Sequence, residues 1–346
     1  DTPELRFFGD GNTWQSIVGA SVLLWVVHWL ILRGVQTAAS INLVATLAKL
    51  VPLGLFIVLA FMAFRLDVFS LDFSGVALGV PVWEQVKNTM LITLWVFIGV
   101  EGAVVVSARA RNKRDVGRAT LLAVLAALGV YLMVTLLSLG VVARPELAEM
   151  RNPSMAGLMV KMLGAWGDVV IAAGLIVSVC GAYLSWTIMA AEVPFLAATH
   201  KAFPRLFARQ NQNNAPSASL WLTNISVQVC LVLIWLTGSD YNTLLTIASE
   251  MILVPYFLVG AYLLKIATRP AHYIVGIGAC IYGLWLLYAS GPMHLLLSVV
   301  LYAPGLLVFI YARRTHQLEN ALKRREMALI GLLLVAAVPA TWMLMG

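Results

Sequence analysis

Apolar residues run unbroken along this chain in stretches of about twenty, and the polar and basic residues collect in the short segments between them. Ten such stretches lie at about 15–32, 40–64, 86–107, 119–142, 167–192, 218–237, 243–266, 272–290, 294–312 and 328–345. A bilayer core about 30 Å thick takes roughly 20 helical residues at 1.5 Å each. Backbone polar groups inside lipid must be satisfied within the structure, which leaves helices or a closed barrel. The runs are continuous rather than alternating over about ten residues, which excludes a barrel. The pattern predicts an all-α, polytopic integral membrane protein with about ten transmembrane helices.

Composition removes the soluble alternatives. The chain has 346 residues, 61% hydrophobic and 11% charged, whereas soluble domains run near 45–50% and about 25%. Too little polar surface remains to coat a water-soluble enzyme. The net charge of +7 does not point to nucleic acid, because topology accounts for where the basic residues lie. With the first stretch starting outside, the inside segments hold 16 Lys and Arg and the outside segments 5, with Lys49 and Lys87 within spans. That asymmetry predicts cytoplasmic loops at 108–118, 193–216 and 313–327, with both ends outside. The chain starts at Asp1 rather than Met, and an outside N-terminus without a signal sequence leads us to expect an odd number of further helices upstream. Cys180, Cys230 and Cys280 sit inside apolar runs without CxxC spacing and read as small buried hydrophobes. No HExxH, nucleophile elbow or metal-ligand spacing is present, so no metal, no cofactor and no membrane enzyme is expected.

Ionisable residues deep in a bilayer cost at least about 2.5–3.5 kcal/mol each on insertion scales, so each needs a reason. His28, between Trp25 and Trp29, reads as a hydrogen-bonded packing residue, and Glu192 as an interfacial charge near a helix end. Glu101 differs because Gly99 and Gly102 flank it in the middle of a span. Glycine weakens a helix and lets other groups approach its backbone, and helices broken at midplane expose amides and carbonyls to a transported solute. The competing reading is a glycine-mediated helix contact with a protonated Glu in the interface. Lys49, three residues before Pro52, is too deep to snorkel. It either loses its proton, stands in for a bound cation or pairs with an intramembrane carboxylate. Trp95 and Trp186 lie away from the interfacial belts, where a ring either packs in the core or faces a cavity and stacks on a cation.

The block Leu91-Ile92-Thr93-Leu94-Trp95-Val96-Phe97-Ile98-Gly99-Val100-Glu101-Gly102-Ala103, continuing through Arg109-Ala110-Arg111-Asn112-Lys113-Arg114-Asp115, resembles the basic amino acid/polyamine antiporters of the amino acid–polyamine–organocation superfamily. The likeness is strongest to bacterial arginine/ornithine antiporters. Arg33-Gly34-Val35-Gln36-Thr37, Asn152-Pro153-Ser154-Met155, Phe203-Pro204-Arg205 and Met251-Ile252-Leu253-Val254-Pro255-Tyr256 add to it. The resemblance implies an inverted-repeat (five plus five) transporter fold of the leucine-transporter type, present here in part. Residues 1–64 would be the last two helices of the first repeat and 65–85 an external loop. Residues 86–266 would form the second repeat, its first helix broken near 97–103, and 267–346 three C-terminal helices.

The same resemblance implies roles for particular residues. Trp95 and Ile98 match positions that contact the substrate side chain in the related arginine/agmatine exchangers. Glu101 matches a carboxylate tied to gating and proton sensing, and Trp186 an aromatic gate. Lys49 falls where sodium-independent relatives place a lysine in the position of a sodium ion. Glu250 has no family counterpart and is either a second cation-binding carboxylate or a partner for Lys49 or for the helices expected upstream. The implied function is exchange of external arginine for internal ornithine across the bacterial inner membrane by alternating access, with lysine as a further candidate substrate and a homodimer as a candidate assembly. A proton-coupled amino acid or polyamine symporter and a non-transporting amino acid sensor are the alternatives.

Overall fold

The structure is a computed structural model, and it describes residues 11, 13–105, 112–150, 154–238, 241–316 and 324–345. A helix occupies each of the ten apolar stretches, and short helices lie between some of them. The first part of the chain forms α1 (Trp14–Leu32), α2 (Val35–Met62), α3 (Leu66–Ser70), α4 (Val82–Phe97) and α5 (Gly102–Val105). Next come α6 (Lys113–Val141), α7 (Arg144–Glu149), α8 (Ser154–Leu163) and α9 (Ala165–Thr199). The last five are α10 (Ser217–Thr237), α11 (Tyr241–Ile266), α12 (Pro270–Ser290), α13 (Pro292–Thr315) and α14 (Arg324–Met345). Among the described residues six helices are long and apolar enough to cross a membrane, within α1, α6, α9, α10, α11 and α12. α4 alone, with 16 residues, reaches only about 24 Å, short of a bilayer core. The span expected at 86–107 is therefore two pieces.

Among the described residues three buried clusters tie together α1, α2, α4 and α8 through α12. Val27 and Ile31 of α1 meet Leu184, Ile188 and Ala191 of α9 and Leu220 of α10. Phe56 and Ala60 of α2 pack with Val142, with Leu158 and Met159 of α8 and with Ile171 of α9. Leu94 of α4 packs with Leu253 of α11 and Leu286 of α12. α9 thus belongs to two clusters, while the third ties α4 to α11. Between α1 and α10 runs a polar seam. The Asn224 amide and His28 Nδ1 are 2.8 Å apart, the Trp25 indole N–H donates to Gln228 at 3.1 Å, and Gln228 donates to Ser21 at 2.9 Å. His28 is packed and hydrogen-bonded here, edge-on to the Trp221 ring.

Several expectations change. Glu192 is 2% exposed rather than interfacial, because α9 continues through Pro194 to Thr199 and leaves the carboxylate about two turns inside the helix, next to the packed Ala191. The same continuation shortens the loop expected at 193–216 to 200–216. That loop is pinned rather than loose: Asn211 and Asn213 both donate to the Leu32 carbonyl, at 2.7 and 3.0 Å. α6 starts at Lys113, inside the loop expected at 108–118, and α13 and α14 trim the loop at 313–327 from both sides; the remainder of these two loops lies mostly outside the described residues. Cys180 and Cys230 are exposed and Cys280 is partly so. In a membrane protein an apolar helix face can look at lipid as well as at the core, so apolar neighbours do not imply burial.

Candidate functional site

The hydrogen-bond ladder of α4 stops at Ile98. Its N–H still donates to the Leu94 and Trp95 carbonyls, at 3.2 and 3.1 Å, but its ψ of 132° turns the chain out of the helix. Gly99 follows with φ +107°, a conformation that side-chain-bearing residues rarely adopt. Helix resumes as α5 at Gly102. In an unbroken helix the Gly99 N–H would donate to the Trp95 carbonyl. Here it donates instead to Glu101 Oε2 at 2.9 Å, so the carboxylate takes up an amide that the interruption releases. The Tyr256 hydroxyl of α11 donates to the same oxygen at 3.0 Å. Both bonds fall on Oε2, and among the described residues Oε1 has no partner, which suits it to a cation.

The two glycines have separate geometric reasons. A Cβ on Gly99 would lie 3.0 Å from Cζ2 of the Trp186 indole. A Cβ on Gly102 would run into Met189 Sδ. Trp186 and Met189 are three residues apart on α9 and share one face of it. The interrupted segment is therefore seated directly on α9, with Gly99 against a rigid ring and Gly102 against the flexible end of Met189. The neighbouring carboxylate satisfies the backbone that glycine alone would leave open.

The structure brings Gly99, Glu101, Gly102 and Trp186 into one place. Trp95 sits one turn before the break and Ile98 at it, both partly buried. Trp186 is 43% exposed, so its ring is seated against Gly99 without being enclosed. Lys49 is carried on α2, and its side chain lies outside the described residues. Glu250 is 1% exposed on α11, and its carbonyl accepts from Ser298 at 3.3 Å. Six residues separate it from Tyr256, about 9 Å along the helix axis, so it is not part of the Glu101 pair. A cavity of about 660 Å³ opens elsewhere, lined by Leu59, Met62, Arg65, Glu146, Lys161 and Met162 among others, and neither Trp95, Glu101 nor Trp186 lines it.

Two residues at the site carried no assigned role in the sequence reading: Tyr256 and Met189. A phenol inside an apolar span needs a hydrogen-bond partner, and Tyr256 directly follows the helix-interior Pro255; that combination was the available signal. Met189 offers no such signal. Chemically, the site sets a carboxylate with one uncommitted oxygen beside an indole. Those groups suit an ammonium or guanidinium ion.

A family profile described as amino acid permease matches residues 4–334. A protein of Escherichia coli (strain K12), provisionally named an arginine/ornithine antiporter, is 86% identical over the whole chain, which covers 75% of that relative. The arginine/ornithine antiporter of Pseudomonas aeruginosa is 46% identical over 88% of the chain and 67% of its own length. An arginine/agmatine antiporter of Chlamydia pneumoniae is 38% identical over 96% of the chain and 73% of its own length.

Proposed function

The chain belongs to the amino acid permease family, a multi-pass membrane family of permeases rather than enzymes, and on that premise we propose that it is an inner-membrane antiporter exchanging cationic amino acids, arginine inward against ornithine outward. One observation carries this reading above the others. At a break within an apolar span, Glu101 has one oxygen committed to Gly99 and Tyr256 and the other uncommitted. A single carboxylate bonded to broken-helix backbone, in a segment seated against an indole ring, suits a substrate whose side chain ends in a cation. The names of the relatives support the substrate class.

In this reading Trp95 and Ile98 line the side-chain end of the substrate, Glu101 attracts its cationic group, and Trp186 caps it. Lys49 stands in for a bound cation, and Glu250 either offers a second carboxylate or neutralises Lys49. Residues 1–64 close the first inverted repeat, residues 86–266 form the second, and 267–346 are the three C-terminal helices. The segments joining α5 to α6, α9 to α10 (200–216) and α13 to α14 face the cytoplasm, as the Lys and Arg content of 108–118, 193–216 and 313–327 suggests. The mechanism is alternating access in which one substrate at a time occupies the site and only the loaded carrier reorients, so that each inward crossing is balanced by an outward one.

The test is counterflow in proteoliposomes containing the purified protein. Labelled arginine is expected to accumulate when ornithine is loaded inside and to stay at background in vesicles without a counter-substrate. Uptake into empty vesicles that follows a pH gradient would replace exchange with proton-coupled symport. Saturable arginine binding without flux would replace it with a sensor.

A further inference from the structure

We infer that Tyr131 on α6 is a positioning residue that keeps the α4–α5 helix interrupted. This inference deepens the functional reading above and rests on it for its consequence in transport, but its structural content stands separately.

The Tyr131 hydroxyl donates to the Val96 carbonyl at 3.0 Å. In a continuous helix that carbonyl would accept from the Val100 N–H. Here Val100 donates instead to the Phe97 carbonyl, at 3.4 Å, close to the outer limit for a hydrogen bond. Tyr131 therefore satisfies the carbonyl that the interruption leaves without its helical donor, and removes the need for Val100 to return to it. Its ring adds a second hold, meeting Phe97 edge-to-face with centroids 5.5 Å apart and planes at 81°. One side chain thus grips two consecutive residues of the last turn of α4, between Trp95 and Ile98.

Glu101 and Tyr131 act on opposite sides of the same gap. Glu101 satisfies the donor released at Gly99, and Tyr131 satisfies the acceptor released at Val96. In an apolar surrounding neither group can be left to water, so an unpartnered Val96 carbonyl would draw Val100 back toward helical bonding. Tyr131 touches the backbone and the Phe97 ring rather than the proposed site of Glu101 and Trp186. Its effect on transport would come from the open geometry it maintains, and so from how readily the carrier moves between its states.

The test is hydrogen–deuterium exchange of the peptide covering 96–102 in the full chain reconstituted in nanodiscs without substrate, comparing wild type with Tyr131→Phe. Phe keeps the ring contact and removes only the hydroxyl. Exchange of this segment is expected to slow about fivefold, the value of one ordinary hydrogen bond, while peptides in α1 and α10 stay unchanged. Phe97→Leu, which keeps the hydroxyl and trims the ring contact, is expected to change it less than about twofold. Unchanged exchange in Tyr131→Phe would overturn the inference. So would a Tyr131→Phe protein that fails to fold, because the hydroxyl's role would then be global rather than local. Slower exchange at 96–102 in a protein with no arginine/ornithine counterflow would leave Tyr131 as assigned and sink the transport reading instead.

Discussion

The Tyr256 phenol of α11 and the Glu101 carboxylate beyond the end of α4 are joined by a hydrogen bond of 3.0 Å across 155 residues of sequence. It is the one hydrogen bond that the Glu101 side chain receives from another helix among the described residues. It ties the interrupted segment to the cluster of Leu94, Leu253 and Leu286, against which Tyr256 also packs. Removing the hydroxyl by Tyr256→Phe leaves that packing in place and loses one hydrogen bond to a charged acceptor, worth about 1.5–3 kcal/mol. Arginine/ornithine counterflow is expected to fall by on the order of tenfold, with the amount of folded protein unchanged. Rates within a factor of about two of wild type would show that the bond is incidental.

Glu101→Gln separates the charge from the hydrogen bonds. A glutamine carbonyl oxygen can still accept from both the Gly99 amide and the Tyr256 hydroxyl, so the break should survive and melting in detergent should stay near the wild-type temperature. What disappears is the negative charge that the functional reading sets against a cationic substrate. Arginine affinity is expected to fall by at least about tenfold, the equivalent of roughly 1.4 kcal/mol, and isothermal titration calorimetry is the direct measurement. Undiminished affinity would place the substrate's cationic group somewhere else.

Much of this was legible in the sequence, for a physical reason. A span is written over about twenty residues and depends only on hydropathy, so all ten apolar stretches carry helices. The break was legible because Gly99, Glu101 and Gly102 together violate what a membrane helix tolerates. Tyr256 and Met189 were not, because each acts through a long-range contact that one segment cannot encode. The burial of Glu192 and the exposure of Cys180 and Cys230 depart from expectation for a related reason: hydropathy says that a helix is in the membrane, not which of its faces meets lipid. The short helices α7 and α8 fall below the length at which a periodic pattern stands out, although α8 buries Leu158 and Met159 completely enough to complete a core cluster.

Substitutions at the two glycines should differ in severity. Gly99→Ala places a methyl on a backbone at φ +107° and 3.0 Å from an indole ring; the backbone conformation alone costs about 1–3 kcal/mol. Gly102 is helical, and its obstacle is the flexible end of Met189, which can swing aside. Thermal unfolding is expected to rank Gly99→Ala as the more damaging, with Met189→Ala restoring Gly102→Ala but not Gly99→Ala. The reverse ranking would mean that α9 is less able to give way than Met189 suggests.

The seam between α1 and α10 predicts a stability effect with no direct effect on transport. Asn224 is fully buried against His28, so Asn224→Ala strands a buried imidazole nitrogen and costs about 1–3 kcal/mol. Unfolding should move to lower temperature, while arginine affinity measured on the remaining folded protein stays unchanged. A selective loss of affinity with normal melting would bring this seam into the substrate pathway.

Trp186 gives the sharpest separation between packing and gating. Its ring touches Gly99, yet 43% of the residue is exposed, so replacing it gives up only part of the roughly 3–5 kcal/mol that truncating a fully buried tryptophan costs. A packing role therefore predicts a modest loss of melting temperature and a proportionate loss of transport. A capping role predicts that Trp186→Leu cuts counterflow severely while expression and melting hold, because the indole face that would stack on the substrate's cation is gone. Trp186→Phe, which keeps a smaller aromatic face, should then recover part of the rate. Counterflow that tracks stability across Leu and Phe alike would return Trp186 to the role of a wall behind Gly99.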